Sequence, residues 1–284
     1  MLWERAAIAV VSVGLLVNTR SISLLWLLLV LIAALVLARR DVLIGLIRRP
    51  AVWAMLGLSA VISLVALNWY LHPPQGGDQA AVVSVSMGAA FTAMLSHTFE
   101  YSSAYVGIFG WLDAPSPPFS LIVWTVAIVV LTIGALVWGS GRARWIAAGF
   151  GAALVLVPPV TQALIAPQLG IIWQGRYMLA VFLCFLAACG LAIGSTFEER
   201  ELPSRVKTVL VVALALLSLG HVASFVWTLR RYVVGAKGFI QDMLTHPAWQ
   251  PPLGWIALTV LLAVWSVGAS VLVYRRVTAV PVTA

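Results

Sequence analysis

The chain has 284 residues, of which 62% are hydrophobic and 9% charged, and its mean hydropathy is +1.05. A soluble domain carries roughly 25% charged residues, so too little polar surface is left here to face water. This composition excludes a soluble enzyme, a disordered chain and a secreted disulfide scaffold. The net charge of +8 lies in short Lys/Arg clusters between apolar runs, a pattern that encodes membrane orientation rather than nucleic-acid binding.

A helix crosses the hydrocarbon with about 20 apolar residues, because no water is present there to satisfy its backbone. Eight runs are candidates: 5–17, 22–38, 51–70, 118–138, 145–166, 177–195, 207–227 and 254–273. The first two are short and meet at Asn18-Thr19-Arg20-Ser21. No small-residue cleavage site follows the first, so no removed signal peptide is expected. The expected fold is all-α: a polytopic integral membrane protein with about eight transmembrane helices plus outer-face interfacial helices, forming a single membrane domain over 1–284.

Of the 17 Lys and Arg residues, twelve fall on one side if both termini are cytoplasmic: Arg5, Arg39, Arg40, Arg48, Arg49, Arg142, Arg144, Arg200, Arg205, Lys207, Arg275 and Arg276. The other side holds Arg20, Arg176, Arg230, Arg231 and Lys237. The positive-inside rule then places 71–117, 167–176 and 228–253 outside a cell membrane.

Segment 71–117 opens with turn residues, His72-Pro73-Pro74-Gln75-Gly76-Gly77-Asp78. Residues 81–106 read as a helix with Val85, Met87, Phe91, Met94, Leu95 and Phe99 on one side. Such a helix lies in the outer interface, its apolar face in the lipid boundary or against the bundle. Pro158-Pro159 should kink or break the fifth span, and with Gln162 can border a groove beneath Arg176. Cys184 and Cys189 face different sides of one helix and cannot pair; they read as small lipid-facing or packing residues. His221, inside a span, reads as a hydrogen-bonded packing residue. Trp69, Trp111, Trp173, Trp227 and Trp255 read as an interfacial belt.

Two strings carry a resemblance. One is Phe109-Gly110-Trp111-Leu112-Asp113, followed by Pro117 just before a span. The other is Gln174-Gly175-Arg176-Tyr177-Met178-Leu179, which opens a later span. Together they resemble a family of bacterial predicted membrane proteins catalogued as domain of unknown function 2142. The resemblance extends over about 20–275 and reads as the C-terminal portion of a longer member. It implies a branch of the C-type glycosyltransferase superfamily, whose polytopic members use polyprenyl-phosphate sugars and place a catalytic acid in the first external loop. Here that loop, 18–21, holds no carboxylate, and Ala180 stands where the family string often has proline.

Arg176 can clamp a lipid-linked phosphate through two parallel hydrogen bonds, with Gln174 and Tyr177 beside it, or snorkel to headgroups. Arg230, Arg231 and Lys237 can hold a lipid diphosphate or contact headgroups. Asp113 can orient a sugar hydroxyl, pair with Arg176 or cap a turn. His97 and Glu100 share a helix face as a base and its partner, as metal ligands or as a solvated surface. Asp113 and Glu100 are the catalytic candidates.

No metal motif, phosphate-cradling loop or evident cofactor is present, although a divalent metal stays open. The leading expectation is a glycosyltransferase-like protein of the cell envelope, or the C-terminal part of one. It would use a polyprenyl-phosphate sugar donor and a glycan acceptor on the external face. The alternatives are a non-catalytic scaffold or lipid-binding subunit with a membrane-protein partner, and a transporter. Expected partners are membrane lipids and no nucleic acid.

Overall fold

The computed structural model describes residues 2–20, 22–72, 84–98, 103, 105–109, 113–197 and 202–279. The described residues are mostly helical. The helices are α1 (Leu2–Val17), α2 (Ser23–Leu37), α3 (Arg40–Ile47), α4 (Pro50–Leu71), α5 (Met87–Ser96), α6 (Pro118–Val137), α7 (Gly141–Leu169), α8 (Leu179–Phe197), α9 (Ser204–Val233), α10 (Asp242–Thr245) and α11 (Gly254–Thr278). A 3₁₀ turn, Gly175–Met178, leads into α8. A two-stranded ribbon pairs β1 (Ile108–Phe109) with β2 (Ala114–Pro115), antiparallel.

Six helical stretches are long and apolar enough to cross a membrane: Pro50–Leu71, Pro118–Val137, Gly141–Leu169, Gly175–Gly194, Ser204–Val233 and Gly254–Thr278. They coincide with the last six expected runs. α1 and α2 are shorter, at 16 and 15 residues. The helix exteriors are apolar: Leu64 is 64% exposed, Val209 67% and Val264 67%. Side chains of this kind suit hydrocarbon and would not persist as one continuous surface in water.

Hydrogen bonds sort the helix ends into two sets. At one end Tyr70 Oη donates to Val17 O at 2.8 Å, joining the ends of α4 and α1. Trp26 Nε1 at the start of α2 donates to Tyr177 O at 3.1 Å. Arg231 at the end of α9 reaches Asp113, just before α6. At the opposite end Arg142 Nη1, at the start of α7, donates to Val36 O and Ala38 O, both at 3.3 Å. Ser140 N donates to Ala192 O at 3.3 Å, towards the end of α8. Chain direction therefore alternates from α1 to α2 to α4, and onward through α6, α7, α8, α9 and α11. The short α2 also runs from one end to the other. Arg20, Arg176, Arg230 and Arg231 share the first end.

α8 is the centre of the bundle. Met178, Val181, Phe182, Phe185, Ala188, Cys189 and Ala192 recur at three- and four-residue spacing and are all buried, which puts them on one helical face. They pack with Trp26, Met94, Ala135, Ala147 and Phe150. The small residues in this stripe allow close helix approach, as membrane packing requires. Cys189 is one of them, and both cysteines are free.

The structure departs from several of these expectations. Segment 84–86 is not helical: α5 begins at Met87, where Ser86 caps it by accepting from Ala89 N at 3.3 Å. The buried face of α5 is Ala90 and Met94, whereas Met87 and Leu95 are exposed, and the helix packs along α7. Pro158 and Pro159 are buried inside α7, which runs on through them, so of the two expected outcomes the break does not occur. Trp173, at 6% exposure, belongs to the core and not to an interfacial belt. His221 is exposed on α9, and its ring has no hydrogen-bond partner among the described residues. It lines a cavity instead of packing.

Candidate functional site

Segment 170–178 is shaped by two local devices. Gly170 adopts φ 64° and ψ −161°, a conformation essentially restricted to glycine. Gln162, fully buried on α7, then grips both sides of the turn. Its Nε2 donates to Gly170 O at 2.7 Å, and its Oε1 accepts from Ile172 N at 3.1 Å. The amide is used as a structural staple. It does not line the groove expected beneath Arg176; its neighbour Thr161 lines a cavity there.

The stapled segment delivers the expected Gln-Gly-Arg-Tyr string to the first end of the bundle. Arg176 and Tyr177 are half-buried on the 3₁₀ turn. Tyr177 carries the Arg20 guanidinium 4.1 Å from its ring centroid. Trp173 meets the same ring edge-on at 5.6 Å. Gln174 is half-buried, and its Oε1 has no hydrogen-bond partner among the described residues. Among the described residues Trp173 Nε1 is likewise a buried donor without one. Unmet polar atoms are rare in folded proteins, and where they gather they call for a ligand or another explanation.

The Asp113 carboxylate pairs with Arg231, at 2.7 Å from Nη2 to Oδ2. Arg231 is a partner that the sequence alone did not suggest for Asp113. Both side chains are about one-third to two-fifths exposed, at 34% and 44%, so the pair contributes little stability. Its effect is to tie the β1–β2 ribbon to the end of α9. Arg230 has a different environment. It stacks on Trp227 at 4.4 Å and donates to Ala236 O and Gly238 O, holding the chain that leaves α9.

Between α6, α8 and α9 lies a cavity of about 460 Å³, walled by Tyr105, Phe109, Trp124, Phe182 and Phe225, with His221, Ser224 and Thr228 as its polar contributions. Ser224 and Thr228 hydroxyls are turned to the helix carbonyls of Gly220 and Ser224. Tyr105 lies 5.2 Å from Phe182, ring to ring. Burial pushes its phenol up to about 12, so it stays a proton donor at any physiological pH. The rim is polar. Leu179 follows Arg176 by one turn, Thr228 precedes Arg231 by one turn, and Phe109 sits in the ribbon that carries Asp113.

His97 closes α5 as its exposed C-cap. Glu100 lies outside the described residues, as do Asp78, Phe99, Tyr101, Trp111 and Arg200. Among the described residues no group of three or more His, Cys, Asp and Glu side chains could hold a metal. Sequence reasoning missed the aromatic cavity, because its walls come from four separate segments. It also missed the role of Arg20, whose contact with Tyr177 crosses more than 150 positions.

The chain matches the family described as predicted membrane protein (DUF2142) over residues 4–185. It belongs to that family of membrane proteins. The match starts earlier than the expected residue 20 and stops within α8 instead of reaching 275. Neither a curated protein nor a solved structure matches the chain.

Proposed function

We propose that this protein is a glycosyltransferase-like membrane protein that takes a polyprenyl-phosphate sugar at the Arg176 end of the bundle, in a cell envelope. The carrying observation is the 460 Å³ aromatic cavity whose rim residues stand one turn from Arg176 and Arg231. An apolar cavity with arginines one helical turn from its lining residues fits an amphiphile with an isoprenoid tail and an anionic head. Gln174, beside Arg176 in the same segment, would receive a sugar hydroxyl. Tyr177 would flank the phosphate, and Arg230 would hold the loop above it.

In the transfer step the acceptor hydroxyl attacks the anomeric carbon, and the bond from that carbon to the phosphate oxygen breaks. The acceptor proton passes to a carboxylate, and the prenyl phosphate leaves as the anion held by Arg176. Asp113 is the candidate on the described residues, with Glu100 the other; a divalent metal could assist the leaving phosphate. The non-catalytic alternative, a lipid-binding subunit of an envelope assembly with a protein partner, is favoured by the engagement of Asp113 with Arg231. Transport has no comparable support.

Eight spans, with α1 and α2 counted as a short crossing pair, would put both termini in the cytoplasm and the arginine cluster outside. The interfacial character of α5 belongs to the same reading. Single cysteines at Asn18 and Ser140 should then react with an impermeant maleimide from opposite sides, Asn18 from outside. Labelling of both from one side would overturn the topology.

The function is tested by glycosyl transfer in proteoliposomes containing a lipid-linked sugar and a glycan acceptor, beside binding of prenyl phosphate measured by native mass spectrometry. Thr228→Trp, which pushes an indole into the cavity, should weaken prenyl-phosphate binding by about tenfold or more, equivalent to about 1.4 kcal/mol. Val209→Trp, on the lipid-facing side of the same helix, should bind normally. Binding without transfer would select the subunit reading, and equal binding by both variants would remove the cavity from the account.

A further inference from the structure

We propose that the connection between α9 and α11 presses a wedge of apolar side chains, Phe239, Leu244 and Leu253, into the lipid boundary at the Arg176 end of the bundle. Its partner is a lipid surface. The wedge stands whether or not the protein transfers sugars.

The connection is folded on a scaffold of its own. Met243 is buried and packs with Leu229 and Val233 in a small core separate from the one around α8. Val233 O accepts from Ala248 N at 2.8 Å and from Trp249 N at 3.2 Å. Trp255 Nε1 donates to Met243 O at 3.1 Å. Asp242 Oδ2 accepts from Phe239 N at 2.7 Å, and Arg230 holds Gly238 O. With the backbone tied at so many points, the fold itself sets which side chains turn outward. Those that do are large and apolar: Phe239 is 71% exposed, Leu244 65% and Leu253 76%. Met243 and Leu244 are neighbours on α10, and only the first is buried. Leu253 also has φ 71° and ψ −3°, and among the described residues it is the one non-glycine residue in the left-handed region. Glycine or asparagine would make this turn with less strain. The strained position is thus given to a leucine whose side chain touches little of its own protein.

Outward apolar groups of this size mark a surface that something other than water covers. The position of the connection identifies the cover. It leaves one hydrocarbon-length helix at Val233 and enters the next at Gly254, so both of its ends lie at the membrane border. Beyond Leu253, the exposed residues Ile256, Val260 and Val264 follow at three- and four-residue spacing and form one stripe along α11. The wedge is therefore continuous with the lipid-facing surface of that span. The one acidic residue of 234–253 is Asp242, whose carboxylate is already engaged by the Phe239 amide. Lys237 is exposed and can extend to headgroups. A non-helical backbone is kept out of hydrocarbon by its polar groups. The backbone accordingly stays at headgroup level while the side chains point about 5–10 Å inward, as amphipathic interfacial elements do.

The test uses the full chain in phosphatidylcholine nanodiscs, plain or brominated on the acyl chains, with a fluorescent NBD label on one introduced cysteine at a time. The parent chain taken through the same labelling is the blank, because Cys184 and Cys189 lie within α8. Val264→Cys, in the middle of α11, is the lipid reference, and Asn18→Cys, on an exposed turn, is the water reference. Labels at Phe239→Cys and Leu244→Cys should lose emission to bromine at least about half as strongly as the label at Val264→Cys, as a side chain within the interface requires. Bromine quenching no greater than that of Asn18→Cys overturns the proposal. If iodide in the buffer then quenches the labels, the connection stands in water; if it does not, protein covers the face, whether a fold of this chain or a second copy. Phe239 and Leu244 are both exposed, so neither substitution removes a core contact. Where one of the two variants fails to fold, the other decides.

Discussion

Gln162→Leu is expected to be the most destabilising single substitution near the candidate site. The leucine fits the space but leaves Gly170 O and Ile172 N without the partners they have at 2.7 and 3.1 Å. Each buried backbone group left unmet costs about 1–3 kcal/mol, so a loss of roughly 2–6 kcal/mol follows. Water cannot readily replace the amide, because Gln162 is fully buried. The damage is local in its first effect. Segment 170–178 loses its anchor, and Arg176 and Tyr177 lose their fixed position with it. Thermal unfolding in detergent should show a clear drop in midpoint, and hydrogen exchange should rise first at 170–178. Gln162→Glu, which retains one acceptor for Ile172 N, should be less damaging only where its carboxyl is protonated. An unchanged midpoint in Gln162→Leu would show that the loop is held by packing alone.

Asp113→Asn is expected to have the largest effect on activity. The substitution preserves size and can still accept a hydrogen bond from Arg231, so the ribbon at 108–115 should stay in place. An amide cannot take a proton, however, and positioned general bases contribute about 10²–10⁴ to a rate. Transfer should fall by at least about a hundredfold, with prenyl-phosphate binding and expression unaltered. Arg231→Ala should behave differently: it releases the ribbon and weakens binding together with transfer. Full turnover in Asp113→Asn would move the base to Glu100 or elsewhere. Equal loss of binding in Asp113→Asn would show that the pair only positions the ribbon.

Six of the spans were legible in the sequence because a hydrocarbon-length apolar run admits few alternatives, as in Pro118–Val137 and Gly254–Thr278. The common placement of Arg20, Arg176, Arg230 and Arg231 was equally legible, since charge clusters mark loop ends. What failed depended on partners that a linear reading does not show. Met87, Met94 and Leu95 look alike as apolar residues, and only the approach of α7 decides that Met94 is buried and the other two are not. Pro158 and Pro159 remove two amide donors, yet the helix continues around them, with the Thr161 hydroxyl bonded to Val157 O inside the same turn. Trp173 carries the same sequence signal as Trp69, but it packs against Tyr177 while Trp69 is 62% exposed. Gln162 shows the same difference at the site itself. Its spacing near two prolines marked it as notable, but its role required knowing that Gly170 folds back over it.

On the proposed function, the Arg176 end of this bundle receives an anionic isoprenoid lipid in an aromatic cavity. Mass spectrometry of lipids released from the gently purified full chain tests it most directly. A prenyl phosphate near one per chain, and its loss in Thr228→Trp with the fold intact, is the predicted result. Recovery of ordinary phospholipids only, in the proportions of the host membrane and unchanged by Thr228→Trp, would contradict it.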